Sequence, residues 1–337
     1  MSAGRRTRVG IAAAVTVLVV AAVVTVVAVL ASGGGAPQVQ PSPQRTVAAA
    51  SAAPVVPAQG AYVGAWVQPA SYTQPGYVSA VDTLQQQIGR RLDIVHTYLR
   101  QPATFPTSSD LAFVRQGSML LVSWALNGSQ AIVSGRDDQA IRERADEIRG
   151  IGKPVFLEWR WEMDRPNLRS LVGSPADYIA AWKHIRRIFA AERATNVAWV
   201  WCPTVKGFTR GDAAAYYPGD AEVDWLCADV YPGSGPQRSF DQVTQPFLAW
   251  AASHSKPIMI GEFGVPLSYG TQTRTQWLQA AAATVKAHPQ IKALLYFDSN
   301  TDGTKPQTSF ALSGSPLGAF RKITDQRYFN PRGLPLT

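Results

Sequence analysis

Residues 153–162 read KPVFLEWRWE. An apolar run led by Pro154 carries Glu158, Arg160 and Glu162 among two tryptophans. Charge is costly to bury unless it is paired, so the face each residue occupies matters. Along a strand, side chains alternate between faces. Phe156, Glu158, Arg160 and Glu162 would then share one face, and Val155, Leu157, Trp159 and Trp161 the other. The second set is wholly apolar and suits a face covered by helices. The first suits a barrel interior, where Glu158 and Arg160 would pair as opposite charges beneath Glu162 at the rim.

Outward from this stretch the same pattern recurs. Short apolar runs occur at 62–67 (YVGAWV), 92–99 (LDIVHTYL), 118–124 (SMLLVSW), 196–202 (NVAWVWC), 224–231 (DWLCADVY), 256–263 (KPIMIGEF) and 291–298 (IKALLYFD). With 153–161 they make eight. Amphipathic stretches separate them, such as SPADYIAAWKHIRRIFAAER. There Ser174 can cap, Pro175 fits the first turn, and Asp177 favours the N-terminal dipole. Eight strand–helix units in the 277 residues from Ala61 to Thr337 are the arithmetic of a (β/α)8 barrel. A doubly wound sheet is the competitor. No GxGxxG follows the first strand and no GxxxxGK[ST] occurs, so its phosphate-binding versions lack their motif.

The region before the barrel reads differently. Residues 1–10 hold Arg5, Arg6 and Arg8, and 11–31 contain no charge and only Thr16 and Thr25 as polar residues. Twenty-one such residues can cross a bilayer as a helix, with the basic end cytoplasmic. An uncleaved signal-anchor is expected from the length, a cleaved signal peptide being the alternative. Residues 32–60, rich in Ala, Pro, Gly and Ser, read as a linker. The domain at 61–337 is thus expected outside the cytoplasm, membrane-tethered or secreted.

The formal charge of +9 is partly local, since four of the 32 basic residues lie in 1–59, where there is no acid. The remainder has 28 basic against 23 acidic residues and no dense Lys/Arg run, so nucleic acid is not an expected partner. Four scattered histidines give no metal-ligand spacing, and neither metal nor cofactor is expected. Cys202 and Cys227 could form a disulfide in an exported protein or remain two buried thiols. A monomeric catalytic domain is expected.

Glu262 ends the run KPIMIGEF much as Glu162 ends its own. In a barrel, strands four and seven face each other across the mouth, where catalytic side chains gather. Two carboxylates across one cleft are what glycoside hydrolysis needs. Aromatic residues near strand ends, namely Trp66, Trp124, Trp161, Trp201, Tyr231, Tyr296 and Phe297, suit the apolar faces of sugar rings. Trp159 and Trp199 are expected in the core.

The blocks WEMD (161–164), NVAWVWCP (196–203), YYPGDAEVDWLCADVYP (216–232) and KPIMIGEFG (256–264) resemble glycoside hydrolase family 26. That family belongs to the retaining (β/α)8 clan and is known chiefly for β-mannanases. The resemblance implies Glu162 as general acid/base, Glu262 as nucleophile, Tyr231 as a contact of the nucleophile and Trp201 as an aromatic near the sugar. Asp229, Glu158 and Arg160 are expected to support them. Departures are Trp161 where mannanases of the family have His, Asp164-Arg165 for their Asn-Gly, Glu158 for their Arg, and Tyr296 or Phe297 for their strand-eight Trp. The reading is a retaining endo-type hydrolase of a β-linked polysaccharide, by resemblance a β-1,4-mannan. The alternatives are a non-catalytic carbohydrate-binding barrel and an envelope scaffold.

Overall fold

The structure, a computed structural model, describes residues 52–233, 235–300 and 305–335. Among these no helix is long and apolar enough to cross a membrane. The apolar segment 11–31, like the linker up to residue 51, lies outside them.

All eight expected strands form. They are β1 (Tyr62–Val67), β2 (Ile94–Arg100), β3 (Met119–Ala125), β4 (Val155–Trp159), β5 (Val197–Trp201), β6 (Trp225–Val230), β7 (Ile258–Phe263) and β8 (Ile291–Asp298). Each pairs in parallel with the next, and β8 closes on β1 through six paired residues from Tyr62–Ala293 to Val67–Asp298. The result is the (β/α)8 barrel that the pattern predicts. Helix Pro175–Ala191 begins as its sequence requires. Ser174 and Asp177 form a reciprocal capping box and Pro175 occupies the first turn.

Strand alternation divides the apolar residues into two cores. Val63, Val122, Leu157, Trp199 and Leu294 face outward and pack with the helices. Ile94, Leu121, Phe156, Val200, Trp225, Met259 and Leu295 fill the barrel itself. Part of the expected linker belongs to this second core. Ala53 packs against it, the Tyr62 hydroxyl donates to the Val55 carbonyl at 2.6 Å, and Pro54, Pro57 and Gly60 are buried. Residues 52–60 therefore lie on the domain, although their composition matches the linker before them.

The barrel interior also holds a disulfide. Cys202, just past β5, and Cys227, within β6, both face inward and are bridged. The parity that sends both side chains inward places them together.

Candidate active site

The two rim glutamates reach the cleft by different departures from regular strand geometry. β4 ends at Trp159, two residues earlier than its apolar run suggests. Arg160 and Glu162 then take left-handed backbone, with φ of 53° and 52°. That conformation costs a non-glycine residue about 1–2 kcal/mol, and it scrambles the alternation expected beyond 159. Trp161, assigned to the outer face by parity, packs instead on the interior core and against Tyr98 at 5.1 Å. Arg160 donates to the Leu126 carbonyl. The expected Glu158–Arg160 pair does not form, because Arg160 leaves the strand before it can share Glu158's face. Buried without a carboxylate partner, the Arg160 guanidinium is lowered to about 10.

Glu162 is fixed through its backbone and its neighbours. Its N–H donates to the Cys202 carbonyl at 2.7 Å, tying the loop to the end of β5. Two residues on, buried Asp164 accepts from the Thr204 backbone at 2.7 Å, the Thr204 hydroxyl and Arg210 at 3.0 Å. Gly207 lets Asp164 in, since a Cβ there would lie 2.3 Å from its carboxylate. Arg165 reaches back to the Glu162 carboxylate at 2.5 Å.

On the opposite rim, parity alone would put Glu262 on the outer face with Ile258 and Ile260. β7 avoids this with an irregularity against β6: Ala228 pairs with Ile260, but Asp229 pairs with Glu262. Gly261 is the extra residue, and the bulge re-aims the next side chain. Only glycine fits, because a Cβ at 261 would sit 2.5 Å from Cys227 Sγ and 2.9 Å from Cys202 Sγ. Glu262 thus turns inward while Phe263 resumes the outer core.

The two carboxylates meet unlike surroundings. Glu262 is dry and clasped by phenols: the Tyr98 hydroxyl donates to one oxygen, and the Tyr231 hydroxyl to the other at 2.7 Å. Burial pushes its carboxyl up, while nearby His96 and the two phenol hydrogen bonds oppose the rise. The Glu162 side chain keeps 14% of its surface exposed. Burial, then the charge of Glu262, raises its carboxyl to about 7, against the opposing pull of Arg165. A carboxyl poised near neutrality can give and take a proton within one catalytic cycle.

Beneath Glu262 lies a polar layer. Ser123 bridges His96, at 2.5 Å, and Glu158, and His96 Nε2 lies 3.5 Å from Glu158. These are the partners Glu158 has in place of Arg160. Asp229 is buried 3.3 Å from Cys202 Sγ, and burial, then the surrounding carboxylates, push its carboxyl well up. Glu158 and the two cysteine sulfurs also lie within 4.8 Å of one another. Bridged sulfurs offer no thiolate to a metal.

A cleft of about 1200 Å³ opens over this layer. Of the expected sugar-contacting aromatics, Trp66, Trp161, Tyr231 and Phe297 line it, with Trp66 and Phe297 stacked at 4.4 Å. Trp124, Trp201 and Tyr296 do not. All three are fully buried in the outer core, Trp201 against Tyr217 and Trp250. The reason is parity: each shares its strand face with outward apolar residues such as Val122, Trp199 and Leu294. Nearness to a strand end does not separate the two groups; inward parity does, except for Trp161, which lies beyond the end of β4. The same criterion would have found Tyr98, which follows Ile94 and His96 on the inward face of β2 and was missed. Asp164 and Arg165 sit in a loop, where parity gives no signal.

No family model matches the chain. It is 30% identical over 298 residues to Endoglucanase H of Acetivibrio thermocellus, a match covering 81% of this chain and 31% of that protein. It is 27% identical over 183 residues to a β-1,3-xylanase of an Alcaligenes species, covering 52% of this chain and 36% of that protein. The chain thus spans about a third of the length of these curated relatives. Among solved structures, its fold matches a GH26 β-mannanase from Bacteroides ovatus with a TM-score of 0.61 at 16% identity, over 83% of this chain and 93% of that one. The (β/α)8 barrel of GH26 enzymes is therefore the fold of this chain.

Proposed function

We propose that the chain is a retaining, endo-acting hydrolase of a β-linked polysaccharide. One observation carries this reading. Two glutamates at the mouths of β4 and β7 have opposite preparation, Glu162 near neutrality and Glu262 held by two phenol hydroxyls in a dry pocket. The relatives support the reaction class, since those named are an endoglucanase and a β-1,3-xylanase.

In the first step a Glu262 oxygen attacks the anomeric carbon. The glycosidic C–O bond breaks, and its oxygen leaves with the proton of Glu162. In the second step Glu162 takes a proton from water, whose oxygen displaces Glu262 and frees the sugar with retained configuration. Tyr98 and Tyr231 orient the nucleophile. A β-1,4-mannan is the default substrate on the family resemblance. Replacement of the expected strand-eight Trp by the Trp66–Phe297 stack leaves β-glucan and β-xylan as the next candidates. The apolar run at 11–31 supports an activity outside the cytoplasm in the same reading.

The test is a panel of β-mannan, β-glucan and β-xylan with reducing-end detection and sizing of products. Medium-length oligosaccharides released early from one of them support endo action. Release from none, with the fold intact, would leave a carbohydrate-binding barrel.

A further inference from the structure

The charges around the cleft are segregated in a way the two-glutamate chemistry does not require. Every carboxylate lining it is at least half-buried: Asp110, Glu162, Asp229 and Glu262. Every exposed charged residue lining it is a cation, namely Arg100, Arg165, Lys206 and Arg210. Arg165 is taken by Glu162, and Arg210 by Asp164 and Asp212. Among the described residues, Arg100 and Lys206 have no carboxylate partner.

Their positions follow the strand order. Arg100 ends β2 on the inward parity of His96 and Tyr98, one step above the phenol that holds Glu262. Lys206 stands in the first turn of the short helix Val205–Arg210 that follows β5, close to Gly233 beyond β6. The cations therefore occupy the rim from β2 to β5, the arc that contains Glu162. Tyr98 and Trp161 stand on that arc too, but the opposite one, from β8 to β1, carries no charged lining residue, only polar and apolar ones such as Trp66, Tyr77, Phe297 and Phe310. The hydroxyls of a neutral glycan would accept hydrogen bonds from these cations but leave their charge unneutralised.

We propose that the cleft selects a β-glycan bearing anionic substituents, carboxylate or sulfate, held by Arg100 and Lys206 on the Glu162 side of the scissile bond. The inference rests on the hydrolase reading for its polymer class, but its test does not depend on turnover. An extended rim of one sign also concentrates an oppositely charged ligand, an effect that added salt removes.

The probes are one β-glycan backbone in three forms: unmodified, oxidised at its primary hydroxyls to uronate, and sulfated. Binding is measured by affinity electrophoresis with the full-length Glu262→Ala protein, so that polymer is not consumed. Either or both anionic forms should bind roughly tenfold more tightly than the neutral one at low salt, within the range of such electrostatic gains. Preference for one of them identifies the substituent. The Arg100→Gln/Lys206→Gln pair should remove most of that preference. Lys183→Gln/Arg115→Gln, which loses the same charge outside the cleft, should retain it. Equal binding of all three forms would overturn the proposal, as would an equal loss in both double variants, since the attraction would then be to net charge alone. Reducing ends are read separately on the wild type. Anionic preference without cleavage upholds the cation pair and sinks the hydrolase, whereas cleavage without preference does the reverse.

Discussion

The mouths of β4 and β7 present the same side chain to the same cleft by opposite means. β4 stops early, and two left-handed residues swing Glu162 out into a loop tied down by Asp164 and Thr204. β7 stays a strand and gains one residue, Gly261, which turns Glu262 inward. The loop-borne carboxyl keeps partial contact with water and an arginine. The strand-borne one is sealed over the barrel core between two phenols. Backbone geometry thus gives identical carboxyls unlike neighbours, the arrangement by which one residue type can serve as both proton carrier and nucleophile.

The widest break of this symmetry is kinetic. Glu262→Ala should lower turnover by on the order of 10⁴-fold or more on every substrate, as loss of a nucleophile does. Azide should then restore some cleavage with inverted product. Glu162→Ala should instead spare the first step on an aryl glycoside with a good leaving group, and the glycosyl-enzyme should accumulate. Azide would then release product with retention. Product stereochemistry by NMR distinguishes the two. Wild-type turnover by both variants would exclude this pair.

Next comes stability. The folded Glu162 carboxyl lies near 7, above its ordinary 4.5, because burial disfavours the charged form. Its protonated form therefore contributes stability that is fully present below about pH 4.5 and lost as pH rises through 7. Glu162→Gln should leave the melting temperature nearly unchanged at pH 4.5. At pH 8 it should raise stability by up to about 3 kcal/mol. Melting curves that stay parallel across this range would show that Glu162 is freely solvated. A smaller effect is expected across the cleft. Tyr231→Phe removes one hydrogen bond to Glu262, a loss of about 1.5–3 kcal/mol when the acceptor is charged. The rate should fall roughly 10- to 100-fold, and the acidic limb of the kcat/KM profile should move to higher pH. An unshifted limb would detach Tyr231 from the nucleophile's ionisation.

Much of this was legible in the sequence where regular geometry holds. The eight apolar runs became eight strands, and the outward set of β4 up to Trp159 was read correctly, because period-two alternation follows directly from the backbone. Legibility ended where the backbone departs from it. The expected Glu158–Arg160 pair assumed a strand two residues too long. Glu262 was placed in the cleft by its position at a strand end and by resemblance, while parity argued against it. No residue pattern announced the Gly261 bulge, although a glycine directly before the glutamate was the available hint. The aromatics divide in the same way. Trp66 and Phe297 follow inward parity into the cleft, and Trp124, Trp201 and Tyr296 follow outward parity away from it.

The finest contrast between the two rims is Arg165, which has no counterpart at Glu262. It lies 2.5 Å from Glu162, yet half of its side chain is exposed, so water screens the pair. Its charge opposes burial and holds the Glu162 carboxyl lower than the pocket alone would. Removing it should therefore raise the pKa of the proposed proton donor. The alkaline limb of kcat/KM, which reports that group in the free enzyme, should move to higher pH in Arg165→Gln. A shift of less than about one pH unit is expected of a screened pair. The acidic limb, set by Glu262, should stay where Tyr98 and Tyr231 hold it. This is the reverse of Tyr231→Phe, and profiles of both variants on one neutral substrate separate the two rims. An alkaline limb that stays put or moves down would mean that Arg165 does not hold the Glu162 carboxylate in the free enzyme.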